Sequence, residues 1–396
     1  MERITTNDGT TELVRNWATD LDGAARAQAL RAAGSPAVTE PLALMPDAHL
    51  GAGATIGSVL ATDAATGGLI PSAVGVDLGC GMTALKTNLA DDELPDDLRP
   101  LLDAWATDIP AGVGQAHSRT GRAANRWLEA NPLPRGSEIE SRDHERAHTQ
   151  LGTLGSGNHF VEGSVNAAGE VWIVLHSGSR GIGNKLAQHH IRAAKELAKA
   201  EGRILEDPDL AYFLATDPQF EAYRADMLWA QDYALANRDL MMDAALGALR
   251  ALVPHVAEVD RIRCHHNYAE RETHDGRDLW VTRKGAIRAR AGDRGVIPGS
   301  MGTSTMIVEG LGSHESYCSA SHGAGRKLSR TKARKQLDAA DFARQMQGRT
   351  WQQENVTKLL DEAPDAYKDI HDVMADQEDL VRVTDELTAI VNYKGL

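Results

Sequence analysis

Cysteine is nearly missing from this chain: Cys80, Cys264 and Cys318 are the only three in 396 residues. So few thiols in so long a chain make no disulfide framework, and a reducing cytoplasm is the compartment they suit. Long apolar runs are missing too. None approaches the roughly 20 residues that a membrane helix needs, and the opening MERITTNDGTTELVRNW lacks the basic-then-apolar layout of a signal peptide. There is no repeat of solenoid period and no low-complexity tract. Positive charge is in deficit, with 42 Lys and Arg against 56 Asp and Glu and a formal net charge of −14. As a total, that speaks against a nucleic-acid partner. Disorder is excluded by a composition that is 42% hydrophobic and 25% charged.

The distribution of charge tells a different story from its sum. SHGAGRKLSRTKARKQ, from Ser321 to Gln336, holds Arg326, Lys327, Arg330, Lys332, Arg334 and Lys335 and no acid. A second basic stretch, TRKGAIRARAGDR, runs from Thr282 to Arg294. Charge runs are commonly solvated faces. Here both sit beside glycine-rich histidine motifs, which favours local basic faces that hold phosphates.

In the first third, short apolar runs alternate with Gly, Pro and Asp, a pattern of strands joined by tight turns. The polar segment Asp91 to Gln150, broken by five prolines, predicts short helices and loops. VWIVLHS predicts a strand that leads through the turn GSRGIG into a helix beginning near Asn184, and such a helix start seats a phosphate. Phe220 to Val256 has helical periodicity and is expected to be scaffold. The last third is expected to return to short strands and glycine loops, then to end in helices and YKGL.

Chemistry-bearing residues cluster beside glycines. DLGCG places Asp77 and Cys80 in a turn, GSGNHFVEG adds Asn158, His159 and Glu162, LHSGSRG puts His176 at a strand end, and CHHNYAE adds His265, His266 and Asn267. Any one of these histidines is more commonly a core or surface residue than a ligand. Together they offer imidazole, thiolate and carboxylate, a mixture suited to manganese or zinc, and a thiolate can bridge two metals in a phosphoryl-transfer site. SHGAGRK is a second centre: its glycines let a phosphate approach His322, whose neutral imidazole is a competent nucleophile. His144, Glu145 and His148 spell the zinc-protease signature H-E-x-x-H, but the segment is polar and carries no apolar stripe to bury a site. A solvated helix end is the better reading.

Taken in order, the blocks LMPDAHLGAGATIGSV, PSAVGVDLGCGM, LGTLGSGNHFVEG, LHSGSRGIGN, CHHNYAE, TRKGAIRARAG, IPGSMGTSTMIVEG, SHGAGRKLSRTKA, AYKDIHDVM and YKG closely resemble the RtcB family of RNA ligases. The resemblance implies an α+β fold, with one large catalytic domain over residues 1–396, mixed sheets around a metal-lined cleft, and a largely helical segment at about 185–256. It also implies two Mn²⁺ ions, one held by Asp77, Cys80 and His159 and the other by Cys80, His176 and His266. His322 would take GMP from GTP, with Asn158 and Asn267 near the phosphates, Glu162 and Lys394 on guanine, and Tyr367 stacked on it. Pro298, Gly299, Ser300, Met301, Thr305, Gly323, Ala324 and Gly325 would complete the nucleotide pocket, and Arg180, Arg326, Lys327 and Arg330 are candidates for RNA phosphates.

The implied reaction joins RNA 3′-phosphate or 2′,3′-cyclic phosphate ends to 5′-hydroxyl ends, as in transfer RNA splicing or RNA repair, and some relatives use an archease-type activator. Two alternatives stay open: a metal phosphodiesterase that opens cyclic phosphates without ligation, and a non-catalytic paralogue that binds RNA ends. Three departures stand out: Ala52 where a larger residue is usual, Thr305 for serine, and Leu396 after the terminal Lys-Gly. None removes a candidate metal ligand or the nucleophile.

Overall fold

In the computed structural model, which describes residues 1–6 and 8–396, the apolar runs of the first third are strands. Leu42–His49 and Ile56–Asp63 lie side by side in a six-stranded sheet, flanked by Glu12–Asn16 and Glu2–Thr5 on one side and by Arg277–Lys284 and Asn267–His274 on the other. A larger sheet runs in the order Glu258–His265, Gly81–Ala90, Glu170–Ser177, Phe160–Val165, Val381–Lys394, Thr305–Gly310, Arg294–Pro298. Its first strand comes back against its last, so the sheet curls towards closure. This is the expected α+β architecture, with antiparallel pairs predominating.

Register in the larger sheet decides where the chemistry goes. Gly81 pairs with His265 on one side and Ser177 on the other, Met82 pairs with His176, His176 with Phe160, and Phe160 with Lys394. Five neighbouring strands therefore bring their chemistry-bearing residues to one end of the sheet. A slip of one residue in any pair would turn those side chains to the opposite face.

The helix Phe220–Leu252 spans 33 residues and carries buried residues from its first turn to its last, with Glu221, Asp232, Asp243 and Arg250 on an exposed face. Its first half packs Tyr223, Met227, Ala230 and Tyr233 into one apolar cluster, and its second half packs Met241, Met242, Ala245 and Leu249 into another. Each large buried side chain contributes about 1.5–3 kcal/mol relative to exposure, which is ample to hold the helix midpoint under the turn that carries Asp77 and Cys80.

Three expectations are corrected. The chain closes on the 14-residue strand Val381–Lys394, preceded by the short helix Ile370–Ala375, where helices were expected. The β-branched alternation of VRVTDELTAIVNYK, docked between two partner strands, outweighs helix propensity there. The helix after Glu170–Ser177 begins at Arg180, so Gly181 and Gly183 lie inside its first turn and not in a preceding loop. Finally, the second basic stretch is no open phosphate-binding face. Arg283 is fully buried against Glu272, Arg290 also reaches Glu272, Arg288 pairs with Asp293 and Arg294 with Asp260, so the charge is neutralised internally.

The H-E-x-x-H segment is the short helix Ser141–Gln150, packed through Ala147 and Gln150, with His144 and Glu145 exposed on its outer face. No helix among the described residues is long and apolar enough to cross a membrane.

Candidate metal centre and nucleotide pocket

Five donors form a row at the end of the larger sheet. Asp77 Oδ2 lies 3.1 Å from His159 Nε2, and His159 Nε2 lies 3.5 Å from Cys80 Sγ. Cys80 Sγ lies 3.3 Å from His176 Nε2, which is 2.9 Å from His266 Nε2. Cys80 enters from just before Gly81–Ala90, His176 from near the end of the adjacent strand, His159 from just before the next, and His266 from just after Glu258–His265. The sulfur stands at the middle of the row.

The tautomers are set by the backbone. His159 Nδ1 lies 2.9 Å from the Leu154 carbonyl and His176 Nδ1 lies 3.1 Å from that of Asn158, so each Nδ1–H donates and each Nε2 lone pair faces the row. Burial, reinforced by neighbouring imidazoles, holds His176 and His266 well below the ordinary histidine range, which is the neutral, ligating form. Burial opposes ionisation of Asp77, but the hydrogen bond and charge of His159 outweigh it and bring the carboxyl down to about 2. Burial and then the Asp77 charge push the Cys80 thiol up, an effect that a bound cation would reverse.

The donor set fits a divalent cation of borderline softness. Cys80, His159 and His176 present ligand atoms within 4.8 Å of one another, and His266 Nδ1 is buried without a partner. Gly178 shows how closely the row is built, since a Cβ there would stand 2.1 Å from Asp77 Oδ1.

His322 follows the strand Ser319–Ser321, and its ring centroid is 4.7 Å from that of His266. Its Nδ1 lies 2.6 Å, and its backbone N–H 3.2 Å, from the same oxygen of Asp47. Asp47 is fully buried. A break in strand register between Leu44 and His49 turns it inwards. With Nδ1–H donated to a carboxylate, His322 keeps its lone pair on Nε2. Gly325 packs against Asp47 at φ +73, where a Cβ would meet the Asp47 carbonyl at 2.2 Å.

A cavity of about 420 Å³ opens beside this histidine. His176 and Asn158 line it, as do Pro298 to Met301, Thr305, His322 to Gly325, Glu162, Tyr367 and Lys394, and the basic residues Arg326, Lys327 and Arg330. Lys394 Nζ lies 2.8 Å from Glu362 Oε2, which also accepts from the Tyr367 hydroxyl at 2.9 Å. The Arg326 guanidinium covers the Tyr367 ring at 4.5 Å from its centroid and donates to the Asp361 carbonyl at 2.6 Å. Burial pushes the Glu162 carboxyl up to about 7, against the pull of Lys394 and Arg349.

Two of the residues expected to contact nucleotide or RNA phosphates do not line the cavity. Asn267 braces the metal-side turns instead, its Oδ1 accepting from Gly285 N–H at 2.9 Å and its Nδ2 lying 3.4 Å from the Asp77 carbonyl. Arg180, held in the left-handed region at φ 58, donates from Nε to Thr153 Oγ1 at 2.9 Å beside the His159 turn, with Nη2 buried and unpartnered. Asp47 and Glu362 join the candidate site through their contacts to His322 and Lys394, and sequence reasoning missed both. For Asp47 the signal was present, as an acid inside the apolar run LALMPDAH, since buried acids are rare unless paired. Glu362 lies in a short 3₁₀ turn with no motif to mark it.

The family model described as tRNA-splicing ligase RtcB matches residues 28–395. The chain is 42% identical to the RNA-splicing ligase RtcB of Escherichia coli strain K12 over 395 residues, covering 95% of each. It is 31% identical to the tRNA-splicing ligase RtcB of Nanoarchaeum equitans, with 89% of this chain aligned to 86% of that one. It is 30% identical to the RNA-splicing ligase RtcB of Mycobacterium tuberculosis, with 93% of this chain aligned to all of that one. With the match running from the amino-terminal helix to the last strand, and every block of the donor row and the cavity inside it, the chain belongs to the RtcB family.

Proposed function

We propose that this chain is an RNA ligase that joins a 3′-phosphate, or a 2′,3′-cyclic phosphate first opened by water, to a 5′-hydroxyl, consuming GTP through a guanylylated His322. The observation that carries the reading is the nitrogen arrangement at His322. Its Nδ1 is tied to buried Asp47, and its ring stands against His266 in a cavity that also holds Glu162 and Lys394.

His322 Nε2 attacks the α-phosphorus of GTP, and pyrophosphate leaves with the electrons of the broken P–O bond. The imidazole then carries phosphorus on Nε2 and a proton on Nδ1, hence positive charge, which the Asp47 carboxylate stabilises. An oxygen of the RNA 3′-phosphate next attacks that phosphorus and Nε2 departs with its lone pair. The RNA 5′-hydroxyl finally attacks the activated 3′-phosphate and gives its proton to solvent, GMP leaves with the electrons of the broken P–O bond, and a phosphodiester remains. Splitting one displacement into several lowers each barrier.

The donor row suits two Mn²⁺ ions, one among Asp77, His159 and Cys80 and one among Cys80, His176 and His266. Bound there, they would supply Lewis-acid polarisation of phosphoryl oxygens. Support for a pair comes from the sulfur's central place, with imidazoles on both sides. The exposed cavity-lining residues Lys327 and Arg330 would take RNA phosphates, whereas Arg326 is already engaged by protein acceptors and Arg180 Nη2 is buried outside the cavity lining.

Incubated with α-labelled GTP and Mn²⁺, the protein should retain a GMP label that acid releases, as it does a P–N bond. Turnover of a cyclic phosphate with no label and no GTP requirement would mark a phosphodiesterase instead. Binding to RNA ends with neither activity would mark a non-catalytic paralogue.

The guanine end carries a pH prediction. Guanine offers two N–H donors to Glu162, and only the anion has both oxygens free to accept them. With its carboxyl pushed up to about 7, Glu162 is anionic above that pH and protonated below it. GTP affinity should therefore fall as pH drops from 8 to 6, approaching about tenfold per unit once Glu162 is mostly protonated. Glu162→Gln should flatten the profile, as read by isothermal titration. A parent profile as flat as the variant's would remove Glu162 from guanine recognition.

A further inference from the structure

At its midpoint the long helix Phe220–Leu252 buries an arginine whose bonds go to no carboxylate. Arg238 is 0% exposed. Its Nη1 donates to the Gly79 carbonyl at 2.8 Å and to the Ser177 carbonyl at 3.0 Å, and its Nε has no partner. A guanidinium in such a place costs desolvation that an apolar side chain of equal length avoids. What the fork does there must be something that an apolar residue cannot do.

The three segments it meets are those that carry the donor row. Gly79 lies between Asp77 and Cys80, Ser177 follows His176, and His265 precedes His266. His265 Nδ1 is 2.8 Å from the Gly79 carbonyl and 3.2 Å from Arg238 Nη2. The closer contact, to an oxygen that only accepts, makes Nδ1 the protonated nitrogen. The Gly79 carbonyl thus takes one bond from Arg238 and one from His265, and the guanidinium packs against the imidazole.

Asn237, one residue earlier, extends the same arrangement to the fifth donor. Its Oδ1 accepts from Gly152 N–H at 2.7 Å and its Nδ2 donates to the Thr153 carbonyl at 3.1 Å. The next residue, Leu154, supplies the carbonyl that orients His159.

We propose that Arg238 is a positioning residue of the metal centre. By bonding the Gly79 and Ser177 carbonyls and packing its plane against His265, which itself donates to Gly79, it sets the spacing of Asp77, Cys80, His176 and His266 before a cation arrives. The proposal rests on the reading of the donor row as a cation site. Lysine keeps the charge at this position but cannot place two coplanar donors on two carbonyls. Methionine keeps the length and loses both the charge and the donors.

The test is Mn²⁺ titration of metal-free Arg238→Lys and Arg238→Met, with free Mn²⁺ read by electron paramagnetic resonance and thermal unfolding followed in chelator. Leu249→Ala, in the same helix but in a separate apolar cluster, serves as a destabilised control. Both Arg238 variants should bind Mn²⁺ about 10–100-fold more weakly than the parent. Leu249→Ala should melt earlier while its affinity stays within about twofold. The proposal is overturned if either folded Arg238 variant binds within that same margin, or if Leu249→Ala loses as much affinity. It is also overturned if both Arg238 variants fail to fold while the control folds, since Arg238 would then serve stability alone. A parent chain that takes up no Mn²⁺ defeats the reading of the donor row itself, and is told apart by that.

Discussion

Asp47→Asn should slow guanylylation of His322 by about 10³–10⁴-fold, the scale seen when the carboxylate behind a catalytic histidine is made neutral. One Asp47 oxygen accepts from both His322 Nδ1–H and the His322 backbone N–H, while the other oxygen is buried without a partner. An asparagine has two ways to fit. With its oxygen towards His322, its NH₂ is buried where no acceptor waits, and the negative charge that stabilises the phosphorylated imidazole is gone. Flipped, its NH₂ faces one N–H and forces the ring proton onto Nε2, the nitrogen that must attack. Both arrangements disable the nucleophile and leave the donor row alone. Rapid-quench measurement of GMP transfer from α-labelled GTP gives the rate, and Mn²⁺ titration of the same variant should match the parent. His322→Ala supplies the floor, with no label at any time. An Asp47→Asn enzyme that guanylylates within about tenfold of the parent would reduce Asp47 to a structural partner.

Cys80→Ala carries the second large effect. Because Sγ lies between His159 on one side and His176 on the other, its removal strips a ligand from both halves of the row at once. Mn²⁺ affinity should fall by at least about 100-fold, and ligation should fall with it. Asp77→Ala touches one end only, so it should leave the His176–His266 half able to hold a single ion. Counting metal per chain after gel filtration separates the cases: two for the parent, one for Asp77→Ala and none for Cys80→Ala. Two ions retained by Cys80→Ala at parental affinity would contradict a shared sulfur and require two independent sites. Serine is a poorer control than alanine, because a hydroxyl retains weak coordinating ability.

Short-range patterns gave the elements of the fold and the chemistry of the site. The glycine-flanked blocks marked Asp77, Cys80, His159, His176 and His322 as candidates, because a turn that lets a ligand approach the backbone favours glycine, whereas CHHNYAE offered His265 and His266 alike and only the family resemblance chose between them. The helix over Phe220–Leu252 was legible from its periodicity, and the solvated H-E-x-x-H helix from its missing apolar stripe. Charge runs misled where pairing is long-range: nothing local says that Arg283 is buried against Glu272 or that Arg326 lies on Tyr367. The last strand was hidden because YKGL carries the motif and VRVTDELTAIVN carries only a propensity, which sheet docking converts into structure.

Local chemistry by itself thus determined which side chains are able to act. Which of them meet was decided by strand register, by one break in pairing that turns Asp47 towards His322, and by a helix that places Arg238 under three separate turns. Those contacts join positions between 61 and 275 residues apart, as Ser177 is to Arg238 and Asp47 to His322. No local pattern encodes such pairs, because they arise only when burial of apolar faces brings whole strands together and fixes the spacing among their ends.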